Sequence, residues 1–284
     1  MRIIYVFCLL STVFRIYGQN DQAFQLYSKN GKKIKYAKMV SSLSEQQVVL
    51  FGELHDNPIA HWMQLELAKS LNNIKPIAFG AEMIEADNQN ELNQYLNGEI
   101  DDKAFDSLAR LWINHATDYA PLVEFAKKNK APFIATNIPR RYASQVYKKG
   151  LESLLALSEN EKKWMAPLPI QYDATLSQYQ AMLEMMGGHG GENFPKAQAI
   201  KDATMAHFIF IKLPENGVFL HFNGSFHSNY YEGIYWYLKS MDSNLKIATI
   251  NTILVDDIHH VSKDEFETAD FILAVDSDMT STYK

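Results

Sequence analysis

Val48-Val49-Leu50-Phe51-Gly52-Glu53-Leu54-His55-Asp56-Asn57 is the stretch that decides the fold of this chain. It opens with four apolar residues in a row, a pattern typical of a short strand buried on both faces of a parallel sheet. An amphipathic helical pattern follows over residues 58–71. Strand and helix patterns then alternate along the chain, which predicts an α/β fold with a mostly parallel sheet flanked by helices.

The other predicted strands follow the same apolar pattern; they are residues 77–83, 133–137, 218–222, 247–250 and 271–275. Ahead of them, Asn30-Gly31 between two alternating segments predicts a small β-hairpin. Residues 151–198 differ from the rest, since they combine several prolines with a methionine-rich helical pattern and a glycine-rich loop. We expect this segment to form a helical insertion, or lid, over the carboxyl edge of the sheet.

The chain opens with one basic residue and a short apolar stretch that is followed by Tyr17-Gly18-Gln19. This pattern is typical of a secretory signal peptide and is too short for a membrane span. We therefore expect residues 1–18 to be a signal peptide, residues 19–284 to form a single domain, and the protein to be exported. The only cysteine, Cys8, lies inside the signal and follows Phe7, where a lipid-attachment signal has a small residue. A lipid anchor is therefore disfavoured, and cleavage would leave a chain without thiols.

The net charge is −6 and the charges are spread along the chain, which argues against a nucleic-acid groove. Four of the nine histidines fall within predicted helices or strands, where a structural role is the simplest interpretation. These are His61, His115, His207 and His221.

Polar side chains follow four of the predicted strands at the point where each strand ends. Because the carboxyl ends of parallel strands share one edge of the sheet, where open α/β folds bind ligands, we expect these side chains to converge. They are Glu53 and His55, then Glu82, then Asn137, and finally Asn223, Ser225 and His227.

This set of groups allows several kinds of chemistry. Glu53, His55 and His227 could ligate a divalent metal and leave a position for water. Together with Glu82 they could instead act as catalytic acids and bases, or bind a ligand directly. In the plainest alternative, Glu53 caps the following helix and His55 is a satisfied polar residue.

Five motifs occur in a fixed order: Gly52-Glu53-Leu54-His55-Asp56-Asn57, Ala81-Glu82-Met83, Ala135-Thr136-Asn137-Ile138-Pro139-Arg140-Arg141, Ala197-Gln198 with Asp202 and Met205-Ala206, and Asn223-Gly224-Ser225-Phe226-His227. In this order they resemble the ChaN-like haem-binding uptake family, part of a superfamily with the Tiki metalloproteases and erythromycin esterase-like enzymes. The resemblance covers about residues 24–256. It implies an exported bacterial protein, periplasmic or associated with the outer membrane, that binds haem in iron acquisition. A homodimer and an outer-membrane uptake receptor are the partners it implies. In the enzymatic relatives, the positions that match Glu53, His55 and His227 are catalytic or bind metal.

The resemblance does not fix the axial haem ligand, and tyrosinate, imidazole and thioether all remain open. Tyr142 lies on a predicted helix at the ligand edge, and Arg140 and Arg141 beside it could pair with haem propionates. The insertion offers further candidates, for which core packing of the methionines and a solvent-exposed histidine are the simpler alternatives. These candidates are Tyr179, Met182, Met186 and His189.

We therefore expect a haem-binding protein whose ligand lies between the carboxyl edge of the sheet and residues 151–198. The alternative is a metal-dependent hydrolase, of the protease or esterase type, with Glu53, His55, Glu82 and His227 as its site. A vestigial site in a surface interaction protein is a third hypothesis.

Overall fold

The computed structural model describes residues 22–185 and 191–283. Within these ranges the strands form one seven-stranded sheet in the order β1-β7-β6-β2-β5-β3-β4. Every neighbouring pair is parallel except β1 and β7, which are antiparallel. The predicted α/β class with a mostly parallel sheet is confirmed. The strands are β1 (Phe24–Ser28), β2 (Val48–Glu53), β3 (Ile77–Glu85), β4 (Phe133–Asn137), β5 (Val218–Gly224), β6 (Ile247–Val255) and β7 (Phe271–Asp276).

The connections are mainly helical, and none of the helices described is long and apolar enough to cross a bilayer. The α-helices are α1 (Tyr36–Leu43), α2 (Pro58–Asn72), α3 (Gln89–Leu96), α4 (Asp102–Leu108), α5 (Ala120–Asn129), α6 (Arg140–Lys149), α7 (Glu159–Lys162), α8 (Ser177–Met185), α9 (Asn193–Ile211) and α10 (Ile234–Met241). A π-helical turn spans His115–Tyr119, and 3₁₀ turns span Ala86–Asn88, Leu151–Ala156, Ser225–His227, Asn229–Tyr231 and Asp264–Glu267.

Helices cover both faces of the sheet. Val49 and Phe51 of β2 pack against α1, α2, α3 and α5 on one face. Val48 and Leu50 face the opposite way, towards α9 and α10, because successive strand side chains alternate between the two faces. All residues of β2 are buried, which explains why its sequence is continuously apolar.

The predicted N-terminal hairpin forms only in part. Gly31 adopts a positive φ of +70° in the turn, and Tyr27 makes a single antiparallel bridge to Lys33. The chain then enters α1 instead of a second strand, because Met39, Val40 and Leu43 bury against the core at helical spacing. The partner of β1 is therefore β7 at the edge of the sheet.

The described part of residues 151–198 packs on α6 and α9. Leu154 and Met165 lie in a cluster with side chains of α6, and Tyr179 and Met182 contact Ala199 of α9. This packing holds the segment beside the carboxyl edge of the sheet. The predicted signal peptide with Cys8, together with the candidates Met186 and His189, lies outside the described residues.

Candidate functional site

The ends of β2, β5 and β3 lie side by side, because β5 separates the other two strands in the sheet. The backbone N–H of Gly224 at the end of β5 donates to Oε2 of Glu82 on β3, at 2.8 Å. The hydroxyl of Ser225 donates to the carbonyl of Glu53 at the end of β2, at 3.2 Å. These hydrogen bonds join the three strand ends directly, so the structure brings together the side chains that the sequence placed at this edge.

His227 lies between two buried carboxylates. Its Nε2 is 3.0 Å from Oε1 of Glu82, and its Nδ1 hydrogen-bonds to Oδ1 of Asp202 on α9. The hydroxyl of Tyr179 donates to the other oxygen of Asp202 at 2.8 Å. All four side chains are buried. We call Glu82, Asp202, His227 and Tyr179 the closed half of the site, because both nitrogens of its histidine are used within the protein.

The carboxylates of the closed half keep a proton on its histidine. Burial acts to lower the pKa of His227, but the charges of Glu82 and Asp202 and their hydrogen bonds outweigh it and raise this pKa to about 9. Burial acts to raise the pKa of Glu82, and the charge and hydrogen bond of His227 bring it below its ordinary value. Burial raises the pKa of Asp202, against the effect of His227, and the nearby charge of Glu82 adds to the rise because adjacent carboxylates resist ionising together.

Glu53 organises the second half of the site. Its Oε1 accepts hydrogen bonds from Nδ1 of His55 at 2.9 Å and from the hydroxyl of Tyr119 at 2.7 Å, and its Oε2 accepts one from Nε2 of Gln64. We call Glu53, His55, Tyr119 and Gln64 the open half, because 34% of the His55 side chain is exposed. Within the described part of the chain, Nε2 of His55 has no hydrogen-bond partner. A carboxylate that fixes one ring nitrogen while the other stays free is the arrangement found in metal-ligating histidines.

The protonation of His55 is also set by its neighbours. Burial acts to lower its pKa, whereas its hydrogen bond to Glu53 and the charges of Glu82 and Glu53 raise it, and the resulting pKa is above the ordinary value.

A second layer of polar side chains supports the open half from behind. Nε2 of His61 and Nδ2 of Asn114 both donate to the carbonyl of His55, at 3.1 and 3.0 Å. Asn114 also donates to Asp118 at 2.7 Å, and Asp118 accepts a further hydrogen bond from the hydroxyl of Thr282 at 2.7 Å. Sequence analysis predicted a structural role for His61 and no role for Asn114, Asp118 or Thr282, because these residues come from separate parts of the chain and share no local pattern.

A cavity of about 500 Å³ lies against both halves, and we call it the edge cavity. Met182, Phe194 and Phe226 supply apolar walls, and Lys201 supplies a cationic group. Gly224 lies where the halves approach most closely: a Cβ at this position would be 2.8 Å from Nε2 of His55 and 3.5 Å from Oε2 of Glu82. The cavity is lined by Glu53, Leu54, His55, Asp56, Glu82, Met182, Phe194, Gln198, Lys201, Gly224, Ser225, Phe226 and His227.

The two candidate tyrosine ligands do not line the edge cavity. Tyr142 lies on α6, buried in a cluster with Leu154 and Met165, and its hydroxyl donates to Glu161 at 3.2 Å. The hydroxyl of Tyr179 donates to Asp202. Burial raises the pKa of both phenols, which disfavours the tyrosinate form that ligates iron.

The candidate propionate ligands lie apart from the edge cavity as well. Arg140 and Arg141 border a separate cleft with Arg110 and Tyr283. Arg141 is already paired with Asp87. Lys201 is the lysine that lines the edge cavity. Sequence analysis predicted no role for it, although it immediately precedes Asp202 in one of the five motifs.

The predicted divalent metal site finds no support. Among residues 22–185 and 191–283, no group of three or more His, Cys, Asp or Glu side chains is arranged to hold a metal ion. A protonated His227 that donates from both nitrogens has no lone pair to give to a metal. The metal-dependent hydrolase, which needs Glu53, His55 and His227 as a ligand set, is therefore not favoured.

Residues 39–238 match the model of a family described as haem-binding uptake, Tiki superfamily, ChaN. The fold is similar to that of a solved structure described as cofacial haem binding to ChaN of Campylobacter jejuni, with a TM-score of 0.67 and 17% sequence identity. The match covers 89% of this chain and 97% of the ChaN chain. A solved succinoglycan biosynthesis protein is similar with a TM-score of 0.50 and 12% identity, and covers 85% of this chain and 90% of its own. Protein RETICULATA-RELATED 5, chloroplastic, of Arabidopsis thaliana is 22% identical over 221 residues, or 72% of this chain. The chain spans only 29% of the length of that curated relative.

Proposed function

This chain belongs to the haem-binding uptake family of the Tiki superfamily, which includes ChaN, and on that premise we propose that it binds haem in the edge cavity. One observation carries the choice of site. His55 presents a free ring nitrogen at a cavity with apolar walls, and a buried carboxylate fixes its other nitrogen. Met182, Phe194 and Gln198, from the described part of residues 151–198, line the cavity. We propose that this part of the segment acts as its lid.

The side chains at this cavity suit the chemistry of haem. Bound haem would supply an iron that accepts imidazole or thioether ligands, and His55 and Met182 carry such groups here. Phe194 and Phe226 offer apolar contact area for a flat macrocycle. Lys201 offers a positive charge to a propionate.

The open half would prepare His55 for this role. The Nδ1–H of His55 donates to the carboxylate of Glu53, so the neutral ring keeps its lone pair on Nε2, where a ligand can use it. Tyr119 and Gln64 donate to the same carboxylate and hold it in place. The imidazole is therefore oriented before any ligand arrives, which reduces the entropy lost on binding.

We extend the proposal to the biological role that the family suggests. The protein would act in haem or iron acquisition as an exported protein, in the periplasm or at the outer membrane. A homodimer and an outer-membrane receptor are the partners that this role would use. Size-exclusion chromatography with and without haemin tests the dimer directly.

A visible-spectrum titration tests the binding site. Adding haemin to the purified protein should shift the Soret band and saturate. His55→Ala should weaken binding at least tenfold, whereas His207→Ala, which removes a histidine outside the cavity, should bind like the wild type. Equal affinities for the two variants would rule out His55 as the ligand, and Met182→Leu would then test the thioether. A protein with no Soret shift at all would overturn haem binding itself.

A further inference from the structure

A second cavity, of about 340 Å³, lies beside the π-helical turn His115–Tyr119, and we call it the side cavity. It shares no lining residue with the edge cavity. Its apolar walls come from α3, α4, α5 and the turn. They are Tyr95, Phe105, Leu111, Ala116, Ala120 and Val123. Its size is in the range of protein cavities that bind small molecules.

His115 lines this cavity and has no polar partner in the described part of the chain. The residue is only 9% exposed, and its ring packs edge-on against Phe105 at a centroid distance of 5.9 Å. The side chain can therefore still form a hydrogen bond to a small molecule in the cavity that it lines. Burial lowers the pKa of His115 to about 4, against the charge of Asp106, so at neutral pH the ring offers one donor and one acceptor.

The remaining lining residues give the rim a negative charge. Asp102, Asp106 and Glu124 carry three carboxylates, and Lys103 carries the one cationic group that lines the cavity. An anionic ligand would meet repulsion at this rim. A purely apolar ligand would leave the His115 nitrogens unpaired after displacing water from them, which is costly for a buried polar group.

We propose that the side cavity binds a small molecule with an apolar body and a protonated amine. The apolar body contacts Phe105, Leu111 and Val123, and the ammonium group faces the carboxylates of the rim. An ammonium N–H donates to the neutral imidazole of His115, which supplies the partner this side chain lacks. This site is separate from the proposed haem site and does not depend on it.

Nuclear magnetic resonance titration of the whole chain tests the proposal with three matched probes: 2-phenylethylamine, 2-phenylethanol and 3-phenylpropionate. The amine should shift the methyl signals of Ala116, Ala120, Leu111 and Val123 in a saturable way. It should bind at least tenfold more tightly than the carboxylate, with the alcohol between them. Equal binding of amine and carboxylate, or shifts that fall elsewhere on the protein, would overturn the proposal.

Two variants and a control test the negative charge of the rim and the volume of the side cavity separately. Asp106→Asn, at an exposed position, should weaken binding of the amine at least threefold and leave the affinity for the alcohol unchanged. Glu45→Gln removes an exposed carboxylate away from the cavity and should change neither. Ala116→Leu, which extends an exposed side chain into the cavity, should abolish binding of both probes. If Asp106→Asn matches Glu45→Gln, or if Ala116→Leu binds like the wild type, the cavity is not the amine site.

Discussion

The closed and open halves beside the edge cavity each combine a histidine with a carboxylate, but the two histidines differ in how many of their ring nitrogens are hydrogen-bonded. In the closed half, His227 is enclosed and both of its nitrogens are bonded to carboxylates. In the open half, His55 has one bonded nitrogen and one free nitrogen, and about a third of its side chain is exposed. The two histidines come from neighbouring strand ends, so their position in the fold does not explain the difference.

The difference lies in the number of carboxylates that each histidine meets. Asp202 on α9 reaches His227 from the helical layer, and Glu82 reaches it from the sheet. His55 meets Glu53, whose other hydrogen bonds go to Tyr119 and Gln64. A histidine with both nitrogens committed stabilises the fold, and a histidine with one nitrogen free is available to a ligand.

The strongest test of this contrast is to remove each histidine in turn. His227→Ala should lower the free energy of unfolding by about 3–5 kcal/mol, because it leaves Glu82 and Asp202 as buried carboxylates without their counter-charge. His55→Ala should cost less than about 1 kcal/mol, since Glu53 keeps two donors and the lost pair is partly exposed. Urea unfolding of both variants measures the difference. Equal losses would mean that the halves do not differ in structural role.

We expect the pH dependence of stability to come from the titration of His227 in the closed half. The folded-state pKa of His227, about 9, lies above its unfolded value of about 6.5, so its stabilisation is complete below pH 6.5 and is lost as the pH rises through 9. Between about pH 6.5 and pH 9.5 the wild type should lose roughly 2–3 kcal/mol of unfolding free energy. Urea unfolding across this range measures the loss. His227→Gln should lack this slope, whereas His55→Gln should keep it.

Gly224 sets the distance between the two halves. A Cβ there would lie 2.8 Å from Nε2 of His55, so Gly224→Ala should push this imidazole out of position. We expect the affinity for haemin in the Soret titration to fall about tenfold, which corresponds to about 1.4 kcal/mol. Gly98→Ala strains a left-handed turn (φ +75°) away from the cavity without meeting any atom within 4 Å, and so controls for a general loss of stability. Wild-type affinity in Gly224→Ala would show that the free nitrogen of His55 is not used.

The smallest expected effect is on haemin affinity and comes from Lys201, the lysine of α9 that lines the edge cavity. Lys201 precedes Asp202 of the closed half and lines the edge cavity. Lys201→Gln should weaken haemin binding about threefold, in line with an exposed ion pair of about 0.6 kcal/mol. Lys212→Gln, an exposed lysine at the end of the same helix, should leave affinity unchanged. Identical titrations of the two variants would remove Lys201 from the site.

The sequence predicted the strands and the meeting of their polar ends, because both depend on local patterns. A continuous apolar run such as that of β2 identifies a buried strand, and parallel pairing then determines which edge Glu53, Glu82 and His227 share. The same logic could not show that His227 is enclosed. Its second carboxylate, Asp202, arrives from a helix whose orientation depends on tertiary packing.

The predictions of haem ligands relied on proximity along the chain and were harder to make than the predictions of strands. Tyr142 follows the Pro-Arg-Arg motif, but its position on α6 buries it against the segment that carries Glu161. Tyr179 does reach the site, yet its hydroxyl is used by Asp202. Lys201 was missed because a single lysine within a helical pattern is an ordinary surface residue. Residue types and motif order therefore indicated which strand ends meet at the edge cavity, but the availability of each side chain depended on long-range contacts.

The antiparallel pairing of β1 with β7 has a practical consequence for anyone who attaches a reporter to this protein. Phe24 pairs with Val275, so β1 starts at the rim where the parallel strands finish. At the other terminus, Thr282 is hydrogen-bonded to Asp118 behind the open half. A fluorophore attached next to Phe24 or Thr282 would therefore lie on the same side as the edge cavity. The turn at Asn30-Gly31, on the opposite rim, is the better attachment point for immobilising the protein with that cavity facing solution.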